Sequence, residues 1–301
     1  MNFTKILHDI KDIKIQGAEQ IALAGIRALQ ETLHKSKTSS SYALLTELQH
    51  DISLLIKSRP TEPCLRNTLK FIIHDLPSTN LKELKESLHQ HFLEVIKHFD
   101  FSQKIITEIG CQKIKNNHLL FTHCHSSTVA NILIAAKKEG KSFIVHNTET
   151  RPLLQGRIMA QQLAQHGIKV IHYIDSAARF ALKNADLMLI GCDAITSEGK
   201  VINKIGSEMF CEMAYKYDVP IYVCTNSWKF DPETIYGVEE DIEERNFREV
   251  WKDKPKNVTI VNPAFEKINP DLISGIISEL GVYKPNIFVE EVKLNYPWII
   301  K

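Results

Sequence analysis

From the start of the chain to about residue 107, apolar residues return every three or four positions. Examples are Ile21, Leu23, Ile26, Leu29 and Leu33, then Leu45, Leu48, Ile52 and Ile56, then Leu84, Leu88, Phe92 and Ile96. That spacing puts them on one stripe of a helix, so residues 1–107 read as a domain of about five amphipathic helices. The interruptions at 35–41, 58–63 and 76–80 carry the Ser, Thr, Asn and Pro residues that cap helices or turn the chain. Past residue 108 the rhythm changes. Short β-rich runs at 119–124, 142–146, 168–174, 186–191, 220–224 and 257–261 alternate with helix-length segments such as Leu153 to His166 and Ser176 to Lys183. Alternation of this kind predicts an α/β fold in which residues 108–301 form a doubly wound, mostly parallel sheet with right-handed crossovers.

Composition narrows the function classes. The chain has 301 residues and is 44% hydrophobic, enough for a large buried core. Lys and Arg total 37 against 36 Asp and Glu, so no overall field draws in nucleic acid or an anionic membrane. Any anion site has to be local. The first residues alternate charged and apolar types, unlike a signal peptide, and no apolar run has the length of a membrane span. We therefore expect a soluble, cytoplasmic protein. Six scattered cysteines without a CxxC pair indicate neither a disulfide framework nor a zinc site. The acidic stretch 238–245 reads as a solvated loop.

Chemistry-bearing residues gather where strands hand over to loops. Cys124 ends one β-rich run, in Thr122-His-Cys-His-Ser126, and the helix after it would be capped by Ser126 or Ser127. A thiol at a helix N-terminus, flanked by His123 and His125, is expected to have a lowered pKa and to serve as a base. Its bland alternative is a buried structural thiol. Asp193 follows Leu187–Cys192 in the same way, and desolvation there would raise its pKa and keep it available as an acid. Otherwise it caps a turn. Arg151, Gln155 and Arg157 open the next crossover helix, where donors and backbone N–H groups favour a phosphate; the alternative is ordinary pairing of the arginines with Glu149. Asn203 and Lys204 precede Gly206, and Lys229 and Arg59 place further cations in loops. GxGxxG, GxxxxGK[ST] and HExxH are all absent, which argues against dinucleotide oxidoreductases, P-loop enzymes and zincins.

Taken together, Thr122-His-Cys-His-Ser126, Glu149-Thr-Arg-Pro-Leu-Leu-Gln-Gly-Arg157, Asp175-Ser-Ala-Ala178, Gly191-Cys-Asp193, Asn203-Lys-Ile-Gly206 and Trp228-Lys-Phe230 resemble a known family. It unites the alpha, beta and delta subunits of eukaryotic translation initiation factor 2B with sugar-phosphate isomerases. The resemblance covers most of the chain and implies a helical domain followed by a Rossmann-like domain. Its isomerases carry a catalytic Cys and Asp at the positions of Cys124 and Asp193, a pair that the factor subunits generally lack. Thr-His-Cys-His-Ser and Arg59-Pro-Thr-Glu-Pro63 look like the archaeal ribose-1,5-bisphosphate isomerase branch. Methylthioribose-1-phosphate isomerases look instead like Thr-His-Cys-Asn.

For this branch the resemblance implies acid–base isomerisation of ribose 1,5-bisphosphate to ribulose 1,5-bisphosphate, without metal or redox cofactor, in AMP metabolism. It also implies a nucleotide (AMP) activator and a homo-oligomer built on dimers, up to a hexamer. One phosphate would lie near Gln16, Gly17, Ala18 and Arg59. The other would lie near Ser126, Arg151, Arg157 and Lys229, with Gln155, Asn203 and Lys204 on the sugar oxygens and His125 a further substrate-binding residue. Two positions depart from the family: Gln16 stands where its isomerases have Arg, and Ser127 where many have Lys, each removing a permanent cation. The competing expectations are a non-catalytic regulatory subunit and a methylthioribose-1-phosphate isomerase. Closure of the helical domain is expected to hinge near 107–118.

Overall fold

The computed structural model describes residues 2–77 and 80–300. Five helices come first: α1 (Phe3–Lys11), α2 (Ala18–Lys35), α3 (Ser41–Ser58), α4 (Pro63–Ile72) and α5 (Leu81–Lys113). Their starts follow local chemistry. Asn2, Ser40 and Asn80 cap α1, α3 and α5 by accepting backbone N–H groups, and Pro63 opens α4, where a missing N–H costs nothing. In the turn expected at 76–80, Ser78 and Thr79 lie outside the described residues. Residue 107 falls inside α5, which runs on to Lys113 before Ile114–Asn117 link it to the sheet.

The remainder alternates as the sequence predicts. It comprises β1 (His118–Thr122), α6 (Ser127–Lys138), β2 (Phe143–Thr148), α7 (Gln155–Gln165), β3 (Lys169–Tyr173), α8 (Ala178–Leu182) and β4 (Leu187–Ile190). Then come β5 (Ala194–Ile195), β6 (Val201–Lys204), α9 (Ser207–Lys216), β7 (Ile221–Cys224), β8 (Phe265–Ile268), β9 (Gly275–Ser278), β10 (Gly281–Tyr283) and α10 (Pro285–Asn295). Seven strands form the main sheet in the order β10-β9-β7-β4-β1-β2-β3, all parallel except β10. β5, β6 and β8 make a small antiparallel sheet beside it. The run 257–261 is not a strand. Its Val-Thr-Ile-Val residues suit a pleated surface, but no sheet edge receives them, and Val261 stays exposed.

One apolar cluster joins the helical region to the sheet, with Leu65 and Phe92 in the same buried network as Phe121, Met188 and Phe210. A second, including Ile106, Ile132, Leu133, Val145 and Met159, lies among α5, α6, α7 and the strands. Burying each such side chain contributes about 1.5–3 kcal/mol. From β1 the chain steps outward to β2 and β3, then returns to the other side of β1 as β4. The crevice outside the carboxyl ends of β1 and β4 is therefore the topological switch point, where open α/β sheets bind ligands.

Two glycines allow the close approaches that shape this crevice. A Cβ on Gly191 would come 2.8 Å from the Ser126 side chain, and one on Gly156 would come 1.7 Å from the Thr148 carbonyl oxygen. Because the second clash is with backbone, no rotamer change relieves it. Gly156→Ala should lose about 3 kcal/mol of stability, read from denaturant unfolding, and an unchanged midpoint would contradict the packing of α7 on β2.

Candidate active site

The backbone places Cys124 by force. After β1 the chain turns through Cys124 at φ 64°, a left-handed conformation that costs a non-glycine residue about 1–3 kcal/mol and persists only when neighbours impose it. Here the neighbour is Thr150, whose Oγ1 accepts the Cys124 N–H at 3.0 Å. Thr150 is itself left-handed, and Asp175 beyond β3 holds it: the two carboxylate oxygens accept the N–H groups of Thr150 at 2.8 Å and Arg151 at 2.7 Å. Ser126 then caps α6 by accepting the Val129 N–H, so the sulfur lies beside a helix start. Asp193 is placed from the other strand. Its N–H bonds to the Ile202 carbonyl at 2.9 Å, tying the loop after β4 to β6.

Both side chains are half-buried and line one cavity of about 250 Å³ at the switch point. The structure brings nearly every site residue expected from the sequence to its wall. The turn into α2 supplies Gln16, Gly17 and Ala18, although the Gln16 amide donates to the Ile13 carbonyl within its own turn. Arg59 comes from the link between α3 and α4, and His125 and Ser126 from the start of α6. Arg151 and Gln155 flank the turn before α7, Asn203 and Lys204 end β6, and Lys229 follows β7. Arg157 stands apart. It points outward, 59% exposed, and pairs with Glu149 at 2.9 Å, which is the structural alternative weighed for it, and it does not line the cavity.

Electrostatics supports one half of the acid–base expectation and corrects the other. Burial raises the pKa of Asp193, opposed by the nearby charges of Lys229, Lys204 and Arg59, so the carboxyl holds its proton more tightly than usual. Cys124 was expected to ionise easily, yet burial pushes its thiol up to about 11. Lys204 and the His125 N–H favour the thiolate, but not enough to offset desolvation. The flanking His123 adds no charge. Its Nε2 faces the Ile205 carbonyl at 2.9 Å and its Nδ1 the Thr148 hydroxyl, and burial lowers its pKa to about 4. His125 is engaged with the Gln162 side chain at 2.9 Å.

The sequence reading missed several wall residues. Glu62, inside the quoted Arg59-Pro-Thr-Glu element, pairs with Arg59 at 2.8 Å, and burial raises its pKa to about 7. The acidic stretch is not simply solvated. Glu240 is buried 3.4 Å from Arg66, while Glu243 and Arg245 line the cavity together with Glu249 just beyond it. Glu243 lies 3.7 Å from Arg59 and 3.0 Å from Arg245, and Arg245 also pairs with Glu249 at 2.7 Å. Only the alternating signs of Glu243, Arg245 and Glu249 in the sequence hint at such a network.

The chain is similar to known proteins over nearly its whole length. The model of the initiation factor 2 subunit family matches residues 14–285. The chain belongs to that family. It is 36% identical to a ribose 1,5-bisphosphate isomerase of Pyrococcus furiosus, over 99% of this chain and 95% of the relative. A protein of the same description from Thermococcus kodakarensis is 33% identical over 99% and 95% of the two chains. Among solved structures, a translation initiation factor eIF-2B from Pyrococcus horikoshii OT3 superimposes with a TM-score of 0.83 at 26% identity, covering 95% of this chain and 98% of that one. The family therefore includes relatives named as enzymes and relatives named as translation factors. No helix among the described residues is long and apolar enough to cross a membrane.

The thiol correction can be checked directly. All six cysteines are unpaired, and Cys124 alone is not fully buried. Alkylation of Cys124 by iodoacetamide, followed by peptide mass spectrometry, should be slow at pH 7 and accelerate up to and beyond pH 10. Lys204→Met should slow it further, because Lys204 stabilises the thiolate. Fast alkylation at pH 7 would show a thiol that ionises readily.

Proposed function

We propose that this protein interconverts ribose 1,5-bisphosphate and ribulose 1,5-bisphosphate, with Asp193 as acid and Cys124 as base. The observation that carries this reading is the convergence of these two groups, from adjacent strands, on one cavity walled by Arg59, Arg151, Lys204 and Lys229. Relatives named ribose 1,5-bisphosphate isomerase support an isomerase in this family.

A ribose with phosphate on its anomeric oxygen does not open as a free sugar does. The protonated Asp193 gives its proton to the ring oxygen as the bond from that oxygen to C1 breaks, while the Cys124 thiolate takes the proton from C2. A C1–C2 double bond forms. Cys124 then returns its proton to C1, and the C2 hydroxyl, losing its proton to Asp193, becomes the ketone. No electron leaves the substrate, and both side chains end as they began.

Arg59 and the amides of Gly17 and Ala18 face one phosphate, and Ser126, Arg151 and Lys229 the other, with Gln155, Asn203 and Lys204 on sugar oxygens. Closure over the cavity would shield the enol from water, with Ile114–Asn117 as the non-helical part of the expected hinge. By the same resemblance we propose AMP breakdown as the setting and a homo-oligomer as the working form.

Incubation with ribose 1,5-bisphosphate in deuterated water, followed by NMR, should show ribulose 1,5-bisphosphate with deuterium at C1 to the extent that the thiol exchanges with solvent. Cys124→Ser and Asp193→Asn should each lose about 10²- to 10⁴-fold in kcat/KM. Full turnover in either variant removes that residue from the mechanism.

A further inference from the structure

We propose that the Glu243 carboxylate holds the place of a substrate phosphate between Arg59 and Arg245 in the empty site and is displaced when that phosphate enters, so that Glu243 sets how tightly the cavity takes a phosphorylated ligand. The inference rests on the reading of this cavity as a sugar-bisphosphate site. Arg59 shows that an oxyanion is wanted. Its side chain is 10% exposed, and its Nη2 donates to Glu62 at 2.8 Å, but its Nε is buried with no acceptor among the described residues. A guanidinium carries five N–H donors, and leaving one buried and unpaired is costly. Glu243 approaches the same Nη2 at 3.7 Å, near enough to balance charge and too far for a hydrogen bond.

On its other side Glu243 accepts from Arg245 Nη1 at 3.0 Å, so one carboxylate lies between two guanidinium groups. The other acidic neighbours yield less easily. Glu62 is almost fully buried against Arg59, and Glu249 takes two bonds from Arg245, at 3.2 and 2.7 Å, and another from Asn262 at 3.3 Å. The Glu243 side chain is 27% exposed, so it has water to turn into. Its backbone is held: the Glu243 carbonyl accepts the Ala264 N–H and the Arg245 N–H donates to the Asn262 carbonyl, both at 2.8 Å. Displacement is therefore a rotation of one side chain, which leaves Arg245 in the cavity wall.

A phosphate is the better occupant of that place. A carboxylate offers two oxygens and one charge, whereas a phosphomonoester offers three terminal oxygens and about −1.5 to −2 charge at pH 7, with an oxygen to spare for the unpaired Arg59 Nε. Taking Glu243 away without a replacement leaves Arg59 and Arg245 short of one negative charge, so the carboxylate stabilises the empty site. Every anion that binds there has to compete with it. A singly charged anion gains little by the exchange, and a phosphate dianion gains both charge and hydrogen bonds.

Titration calorimetry with inorganic phosphate tests this without turnover. Glu243→Gln keeps the shape and an accepting oxygen but removes the charge, and should bind phosphate about tenfold more tightly than the wild type. Adding Arg245→Met should take back most of that gain. In turnover, the KM for ribose 1,5-bisphosphate should fall in Glu243→Gln by a similar factor. A carboxylate that merely props Arg245 in place has the opposite consequence, so phosphate binding that is unchanged or weaker in Glu243→Gln overturns the proposal. If that variant does not fold, a crystal structure of the wild type with inorganic phosphate decides the matter. Phosphate between Arg59 and Arg245, with Glu243 turned out to solvent, supports displacement; phosphate bound elsewhere, with Glu243 still beside Arg59, overturns it. Should the wild type fail to turn over the bisphosphate while Glu243→Gln still gains phosphate affinity, the substrate assignment falls and the displacement stands.

Discussion

Desolvation at the switch point governs the rest of the molecule's chemistry. The crevice between β1 and β4 is walled by helices from both halves of the chain, so a charge entering it loses water on most sides. A thiol and a carboxyl respond alike to that loss, and both hold their protons more tightly. Acid–base work needs them to respond differently, one with its proton and one without. Fixed neighbours act against that loss on both: Lys204 and the His125 N–H favour the charged sulfur, and Lys229, Lys204 and Arg59 favour the charged carboxylate. On the proposed mechanism, competence therefore lies in the wall residues as much as in the pair itself.

Holding that pair in register uses strain fixed by hydrogen bonds. Cys124 and Thr150 both adopt left-handed backbone, and Asp175 clamps two successive N–H groups of the loop that holds them. A carboxylate receiving two N–H donors at 2.7 and 2.8 Å makes charge-assisted bonds, which are stronger than neutral ones. The Asp175-Ser-Ala-Ala178 motif thus has a physical reason: it sets the backbone on which the sulfur rides, without touching the cavity itself.

Much of this was legible beforehand, for identifiable reasons. The switch from a three-to-four repeat to short β-rich runs marked the five helices and the alternating strands, because both periods follow from burying one face or one layer. Cys124 and Asp193 stood out because each follows an aliphatic run directly. The run 257–261 misled because strand propensity says nothing about whether a neighbouring edge exists. The thiol misled because a helix terminus and two histidines are visible in sequence, whereas burial and the direction of the His123 ring are not. Glu243 stayed hidden because only the fold brings it to Arg59, whereas Glu62 is three residues from Arg59 and it is its burial that the sequence does not display.

The same folding bears on how a chain of net charge +1 would face the proposed bisphosphate. Arg59 and Arg245 are not bare cations waiting in a cleft, since Glu243 lies between them and Glu62 and Glu249 take the remaining sides. Leaving one member of such a buried network unpaired is costly, but exchanging one anion for another keeps the charges balanced. A phosphate entering beside Arg59 would take the place of the Glu243 carboxylate, so most of the desolvation has already been met before it arrives.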